Sequence, residues 1–280
     1  KTSDLQSTNL VQNGNFSELS SELVTNGNFS NWSSGVPVGW SVLGGSGDAN
    51  NFIEQYQGKL RIVSNGGSGA AVQQNALTVG KIYKVTADLV VNSGGGMRFQ
   101  LGANSAHFVF TTTQNIEFYA ECTGTNGFLQ IIRQGVTDFT IDNVSVKQVD
   151  PNDYWTLGTG WSIGNGVAKS TQTSSNNYLQ QTISTLANNK LYRITFDLDI
   201  ISASTTTIGI SNTGSFGQLS GSERFYTTSG TKTLEALYSN SFPNYIRFVG
   251  GANTEFTITN VSIKEVLDAD FDFTRNSSAT

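Results

Sequence analysis

The chain has 280 residues, a formal net charge of -5, and only 13% Asp, Glu, Lys and Arg, roughly half the usual share for a soluble domain. Lys and Arg are scattered, which excludes an electrostatic footprint for nucleic acid, and no apolar run approaches the roughly 20 residues that cross a bilayer as a helix. A single cysteine, Cys122, excludes an internal disulfide, and a single histidine, His107, excludes motifs that need two.

In chain order, the first feature is a phrase written twice: NGNFS begins at Asn13 and again at Asn26, too close for a folded domain to fit between. Period-two runs follow, with Tyr83, Val85, Ala87 and Leu89 alternating with Lys84, Thr86 and Asp88. Similar runs recur at NFIEQYQGKLRIV, MRFQL, AHFVF, NIEFYAE and FLQIIRQ, separated by Gly-rich or Asn-rich turns. One apolar and one polar face per strand, with about eight strands per unit, predicts an antiparallel sandwich. Cys122 reads as a small buried residue of this pattern.

The pattern then repeats. VQQNALTVGKIYKVTADLVV from Val72 is matched by LQQTISTLANNKLYRITFDLDI from Leu179, and DFTIDNVSVKQV from Asp138 by EFTITNVSIKEV from Glu255. GWSV at Gly39 is matched with GWSI at Gly160. The expected division is an N-terminal strand or linker with the doubled phrase over 1–19, a first sandwich over 20–150, a second over 151–266, and the start of a further module or a tail over 267–280. Two bodies and two openings leave one opening surplus before the first body and one missing from the second. Leu10 to Phe16 is therefore expected to pair with residues 151–266 of the same chain or a neighbouring one, since a sandwich without its opening strand leaves an edge unpaired.

The start Leu-Val-x-Asn-Gly-Asn-Phe at Leu23 to Phe29, Trp32, the stretch Gln74 to Val85 and the ending Phe139 to Val146 together resemble carbohydrate-binding modules of the family 4/9 jelly-roll type. The second unit keeps Trp155, Trp161, Tyr192 and Phe256 to Ile263 but has Thr259 where the first has Asp142. The resemblance implies an all-β fold of two tandem antiparallel jelly-roll sandwiches. It also implies a structural calcium near the strand ends, for which Asn28 and Asp142 supply hard oxygen ligands, against the plainer role of such residues in turns. No other cofactor is expected. The phrases SELVTNGNFS, WTLGTGWSIGNGVA and DFDFTRNSSAT resemble those of modular bacteriophage virion proteins, where such sandwiches decorate tails, fibres or capsids.

For function, sugar binding needs apolar faces for pyranose rings and planar polar side chains for hydroxyl groups. On the polar side of the first unit's strands the candidates are Arg98, Gln100, His107, Tyr119 and Gln130, and in the second unit Arg224, Tyr226, Tyr238 and Arg247. Exposed Tyr and Arg also serve protein interfaces. Trp32, Trp40, Trp155 and Trp161 recur at matched landmarks and read as core. Neither a triad nor a pair of carboxylates at catalytic separation is readable, so the chain is expected not to be an enzyme. The resulting expectation is a segment on the virion surface, in a homo-oligomer, contacting other virion proteins and host glycans but neither nucleic acid nor membrane. The alternatives are a spacer without ligand and the accessory module of a secreted polysaccharide hydrolase.

Overall fold

The structure, a computed structural model, describes residues 6–44, 49–66, 69–172, 177–203, 208–211, 224–238 and 244–267. The stretch expected to open a further module or tail lies outside them from residue 268 onward. Two units are present. Glu18–Pro151 forms one, and the chain up to Ser17 together with the chain from Asn152 forms the other.

The strands of the first are β1 (Trp32–Ser33), β2 (Val36–Pro37), β3 (Ser41–Leu43), β4 (Asn51–Tyr56), β5 (Lys59–Asn65), β6 (Ala71–Asn75), β7 (Ile82–Gly94), β8 (Met97–Leu101), β9 (His107–Phe110), β10 (Gln114–Glu121), β11 (Phe128–Arg133) and β12 (Val136–Gln148). Apart from the hairpin β1–β2, they form two five-stranded antiparallel sheets in the orders β10-β7-β12-β5-β4 and β3-β6-β11-β8-β9. Alternation decides the layers: Tyr83, Val85, Ala87 and Leu89 of β7 are buried while Lys84, Thr86 and Asp88 between them are half-exposed. Between the sheets lie Leu60, Ile62, Tyr83 and Phe139 from one and Met97, Phe99 and Ile131 from the other. Cys122 is fully buried beside them, and burial pushes its thiol pKa up.

The second unit has β13 (Thr156–Leu157), β14 (Trp161–Gly164), β15 (Val167–Gln172), β16 (Tyr178–Thr182), β17 (Leu191–Ala203), β18 (Ile208–Ser211), β19 (Arg224–Tyr226), β20 (Gly230–Leu237), β21 (Tyr245–Val249) and β22 (Thr254–Glu265). Its sheets run β13-β16-β21-β18-β19 and β14-β15-β22-β17-β20. Each unit is a jelly-roll sandwich with ten sheet strands among the described residues, more than the eight the runs suggested. One cause is that NFIEQYQGKLRIV folds back on itself at Gln57 and Gly58, both with positive φ, giving β4 and β5. Asn165-Gly166, also both at positive φ, makes the matching turn between β14 and β15, as expected of an Asn-Gly hairpin.

The doubled phrase is divided between the units. In the first, Val144 N of β12 donates to Gly27 O at 2.9 Å; in the second, Val261 N of β22 donates to Gly14 O at 2.8 Å. Leu10 N also donates to Ile263 O, and Gln6 and Ser7 meet Val266 and Glu265. A Cβ on Gly27 or Gly14 would run into the carbonyl oxygen of Val144 or Val261, so glycine is the residue that permits this approach. The two phrases share one further lock. Gln74 accepts from Thr25 N and donates to Thr25 O (2.7 and 3.0 Å), and Gln181 does the same to Gln12 (2.8 and 2.8 Å).

Tryptophan completes each lock and corrects the sequence match. Trp40 Nε1 donates to Thr25 O and its ring lies 5.3 Å from Phe29, whereas Trp155 Nε1 donates to Asn13 O with its ring 5.0 Å from Phe16. Trp155 is thus the counterpart of Trp40, and the pairing of GWSV with GWSI fails: Trp161 begins β14, whose place in the first unit belongs to β4. Phe16 to Trp155 spans the whole first unit in sequence. That unit closes on itself at its ends, where Leu19 bridges Val149 and Asp150 N donates to Glu18 O at 3.1 Å. The first sandwich is therefore inserted in the second, at the point where the first itself carries only the hairpin β1–β2.

Unit-specific substitutions test this nesting. Gly14→Ala is expected to destabilise the second unit by about 1–3 kcal/mol, as forced overpacking does, with faster hydrogen exchange at Val261 and unchanged exchange at Val144. Gly27→Ala is expected to give the reverse pattern.

Candidate functional site

Each Gln-Gln pair sits on a strand, so one side chain points inward and the other outward. Gln74 turns in to hold the opening phrase, and Gln73 turns out onto the sheet β3-β6-β11-β8-β9. There the register places five polar residues in one row across the sheet: Ser41, Gln73, Gln130, Gln100 and His107. At 4.7–4.9 Å between strands this row is roughly 19 Å long. Gln130 Nε2 donates to Gln73 Oε1 at 2.9 Å, and Gln100 Nε2 donates to Ser105 O at 3.0 Å. A carboxamide has two donors and an acceptor oxygen, so each of Gln130 and Gln100 keeps hydrogen-bonding capacity beyond these bonds.

The adjacent row on the same face is Leu43, Ala71, Ile132, Arg98 and Val109. It sets apolar side chains beside the amides, the combination a sugar ring with hydroxyl edges requires. His107 is exposed on the edge strand β9, and partial burial followed by the nearby Arg98 charge lowers its pKa, so the imidazole is neutral at pH 7. Of the sequence candidates, Arg98, Gln100, His107 and Gln130 fall in these two rows, together with Ser41 and Gln73, which the sequence analysis did not single out. The doubled Gln was the signal for Gln73.

Tyr119 does not belong with them. It faces outward on β10, in the opposing sheet, with Lys84 Nζ 5.6 Å from its ring centroid. Its outward phase was readable from the alternation with Ile116 and Ala120, but its sheet was not. That same outer face carries an ion cluster: Arg61 bonds Asp138 through Nε and Nη2 (2.9 and 2.6 Å) and Glu54 through Nη1 (2.8 Å), with the Tyr56 ring 5.0 Å away. The Arg61 guanidinium holds the Asp138 carboxyl below its usual range.

In the second unit the corresponding face carries Thr156, Gln180 and Arg247 in one row. Arg247 Nε and Nη2 both donate to Gln180 Oε1 (2.9 and 2.5 Å), and its guanidinium lies 3.9 Å from the Tyr178 centroid and 4.6 Å from that of Tyr245. The other candidates there need correction. Tyr238 is 5% exposed and meets Tyr192 edge to face, because it continues the inward phase of Leu234 and Ala236. Tyr226 packs edge to face on the core residue Phe196 at 5.5 Å. The side chain of Arg224 lies outside the described residues.

Asn28 Oδ1 accepts from Ser30 N and Oγ, Asp142 Oδ1 accepts from Asn143 N, and no three His, Cys, Asp or Glu residues gather as a metal site among the described residues. Asn28 thus belongs to a turn, and Asp142 to β12 at the register shift between Asp142 and Ser145.

No protein-family model and no curated protein matches the chain. Among solved structures, it is similar to the N-terminal CBM22-1-CBM22-2 tandem domain of Paenibacillus barcinonensis Xyn10C, at 12% identity over 89% of this chain and 99% of that one, with a TM-score of 0.33. It is also similar to the structure described as BiXyn10A CBM1, at 18% identity over 46% of this chain and 97% of that one, TM-score 0.34. A triple jelly-roll protein of an archaeal virus turret gives 12% identity over 82% of this chain and 59% of that one, TM-score 0.23.

The placement of the tyrosines is tested by truncation. Tyr238→Ala is expected to cost about 3 kcal/mol, as a large-to-small core change, and Tyr119→Ala well under 1 kcal/mol, both read from denaturant unfolding. Equal losses would contradict the assigned faces.

Proposed function

We propose that the chain is a non-catalytic, glycan-binding segment of a virion appendage, with the outer face of the sheet β3-β6-β11-β8-β9 as its binding surface. The observation that carries the reading is the row Ser41, Gln73, Gln130, Gln100 and His107, a hydroxyl, three carboxamides and an imidazole aligned on one face beside apolar neighbours. Carboxamides share hydrogen bonds with hydroxyl groups as donor and acceptor at once, and the neutral His107 does likewise. Nothing in the row is a nucleophile with a base beside it, which suits retention of the ligand over its conversion. The virion setting rests on the phrases NGNFS and DFDFTRNSSAT, and there the chain works as an oligomer among other virion proteins on the particle surface. A shallow face binds each sugar weakly, and many copies on one particle raise avidity by roughly 10²- to 10⁴-fold.

A glycan array probed with the full chain displayed on streptavidin tests this reading. Binding to a subset of glycans is expected. Gln130→Ala is expected to weaken it by about 1 kcal/mol, roughly fivefold in Kd, while Tyr119→Ala leaves it unchanged. A blank array at high valency would leave a spacer without ligand.

A further inference from the structure

Arg98 stands apart from every other arginine whose side chain is described. Arg61 is bound by Asp138 and Glu54, Arg133 donates to Gly135 O, Arg193 is paired with Glu235, and Arg247 is held by Gln180. Among the described residues Arg98 makes neither a hydrogen bond nor an ion pair; its Nε, like that of Arg133, is shut off from water with no acceptor there, but Arg133 has the Gly135 bond and Arg98 has none. A guanidinium N–H shut off from water without an acceptor is costly, because it loses hydration and gains nothing in exchange, while the two Arg98 Nη groups are not shut off in this way and stay open to a ligand. Folded proteins keep such groups rarely, and each one calls for a reason.

The position supplies the reason. Arg98 is paired in register with Ile132 and Val109, immediately beside Gln130, Gln100 and His107 of the polar row. Its five donors are the one full positive charge contributed by these two rows, since His107 is held neutral. We infer that the ligand of this face carries a carboxylate, as a uronate or sialate residue does, and that Arg98 binds it while the carboxamide row binds the neighbouring hydroxyl groups. The inference rests on the proposed sheet-face site and adds the ligand class. A carboxylate is preferred to a sulfate ester because its planar pair of oxygens matches the guanidinium fork, a match that lysine cannot reproduce.

The test uses the full chain on an array in which each uronate- or sialate-bearing glycan stands beside its carboxyl-reduced counterpart, with sulfated and neutral glycans included. Carboxylated glycans are expected to bind, and carboxyl reduction to lower binding about tenfold. Arg98→Gln should remove that difference with the melting temperature retained, and Arg98→Lys should restore only part of it. Hits that are indifferent to carboxyl reduction, or confined to sulfated glycans, would overturn the inference. Neutral hits that Gln130→Ala weakens would overturn it while leaving the sheet-face site standing. An array blank throughout would remove both.

Discussion

The side-chain amide of one glutamine in each unit fixes how the chain begins. Gln74 and Gln181 offer the peptide groups of Thr25 and Gln12 a donor and an acceptor at once, as a neighbouring strand would. Without them these backbone groups would have to find partners elsewhere. The opening phrase is not relaxed: Asn13, Phe16, Asn26 and Phe29 all have positive φ, and such residues cost on the order of 1–3 kcal/mol each. Burial of Phe16 and Phe29 to 1% and 0% exposure returns about 2–3 kcal/mol per ring. The glutamine and indole bonds then supply the remainder, so neither phrase stands on ring burial alone.

Nesting follows from this attachment. Each opening phrase must reach the last strand of its own sandwich, β12 or β22, and then return to its tryptophan. In the first unit the return is the short hairpin β1–β2. In the second it is an entire folded unit, tolerated because that unit's ends are joined by the Leu19 and Val149 bridge and by the bond from Asp150 N to Glu18 O. A folded insert with adjacent ends holds the host chain as a short turn would, whereas a flexible loop of the same length would add closure entropy. Gln6 and Val266 bridge in the second unit as Leu19 and Val149 do in the first, so the same end-to-end closure is built into both.

Strand phase, the two bodies and the surplus opening were legible in the sequence because they depend on local alternation and on counting. Sheet membership was not. A jelly roll sends successive strands to different sheets, so Tyr119 and Arg98 share an outward phase yet stand on opposite faces of the sandwich. Tyr238 was misread although its spacing from Leu234 and Ala236 placed it inward; its hydroxyl drew it to the polar class against the parity. GWSV and GWSI matched in letters but not in role, since the tryptophan that packs against the opening Phe is the one that leads into β3 or β13, strands with the same place in their sheets. The solitude of Arg98 was invisible, because the absence of an acceptor is a property of every neighbour at once.

The doubled glutamine joins stability to recognition. Its inner member fixes β6 or β16 against the opening phrase, and its outer member is thereby set in register on the exposed face. In the first unit, Gln130 and Gln100 are only 8% and 7% exposed, so much of their rotamer freedom, worth up to about 1.5–2 kcal/mol for a glutamine, is already lost on folding. A ligand meeting them loses less entropy on binding, which favours affinity without additional contacts. The second unit uses the same positions differently. There Arg247 is held by Gln180 and stacked between Tyr178 and Tyr245, so its charge is met within the protein. Beside the outer glutamine the first unit thus sets Gln130 and the second Arg247, so only the second gives its glutamine to a guanidinium, while Arg98 of the first, in the adjacent row, has no acceptor among the described residues.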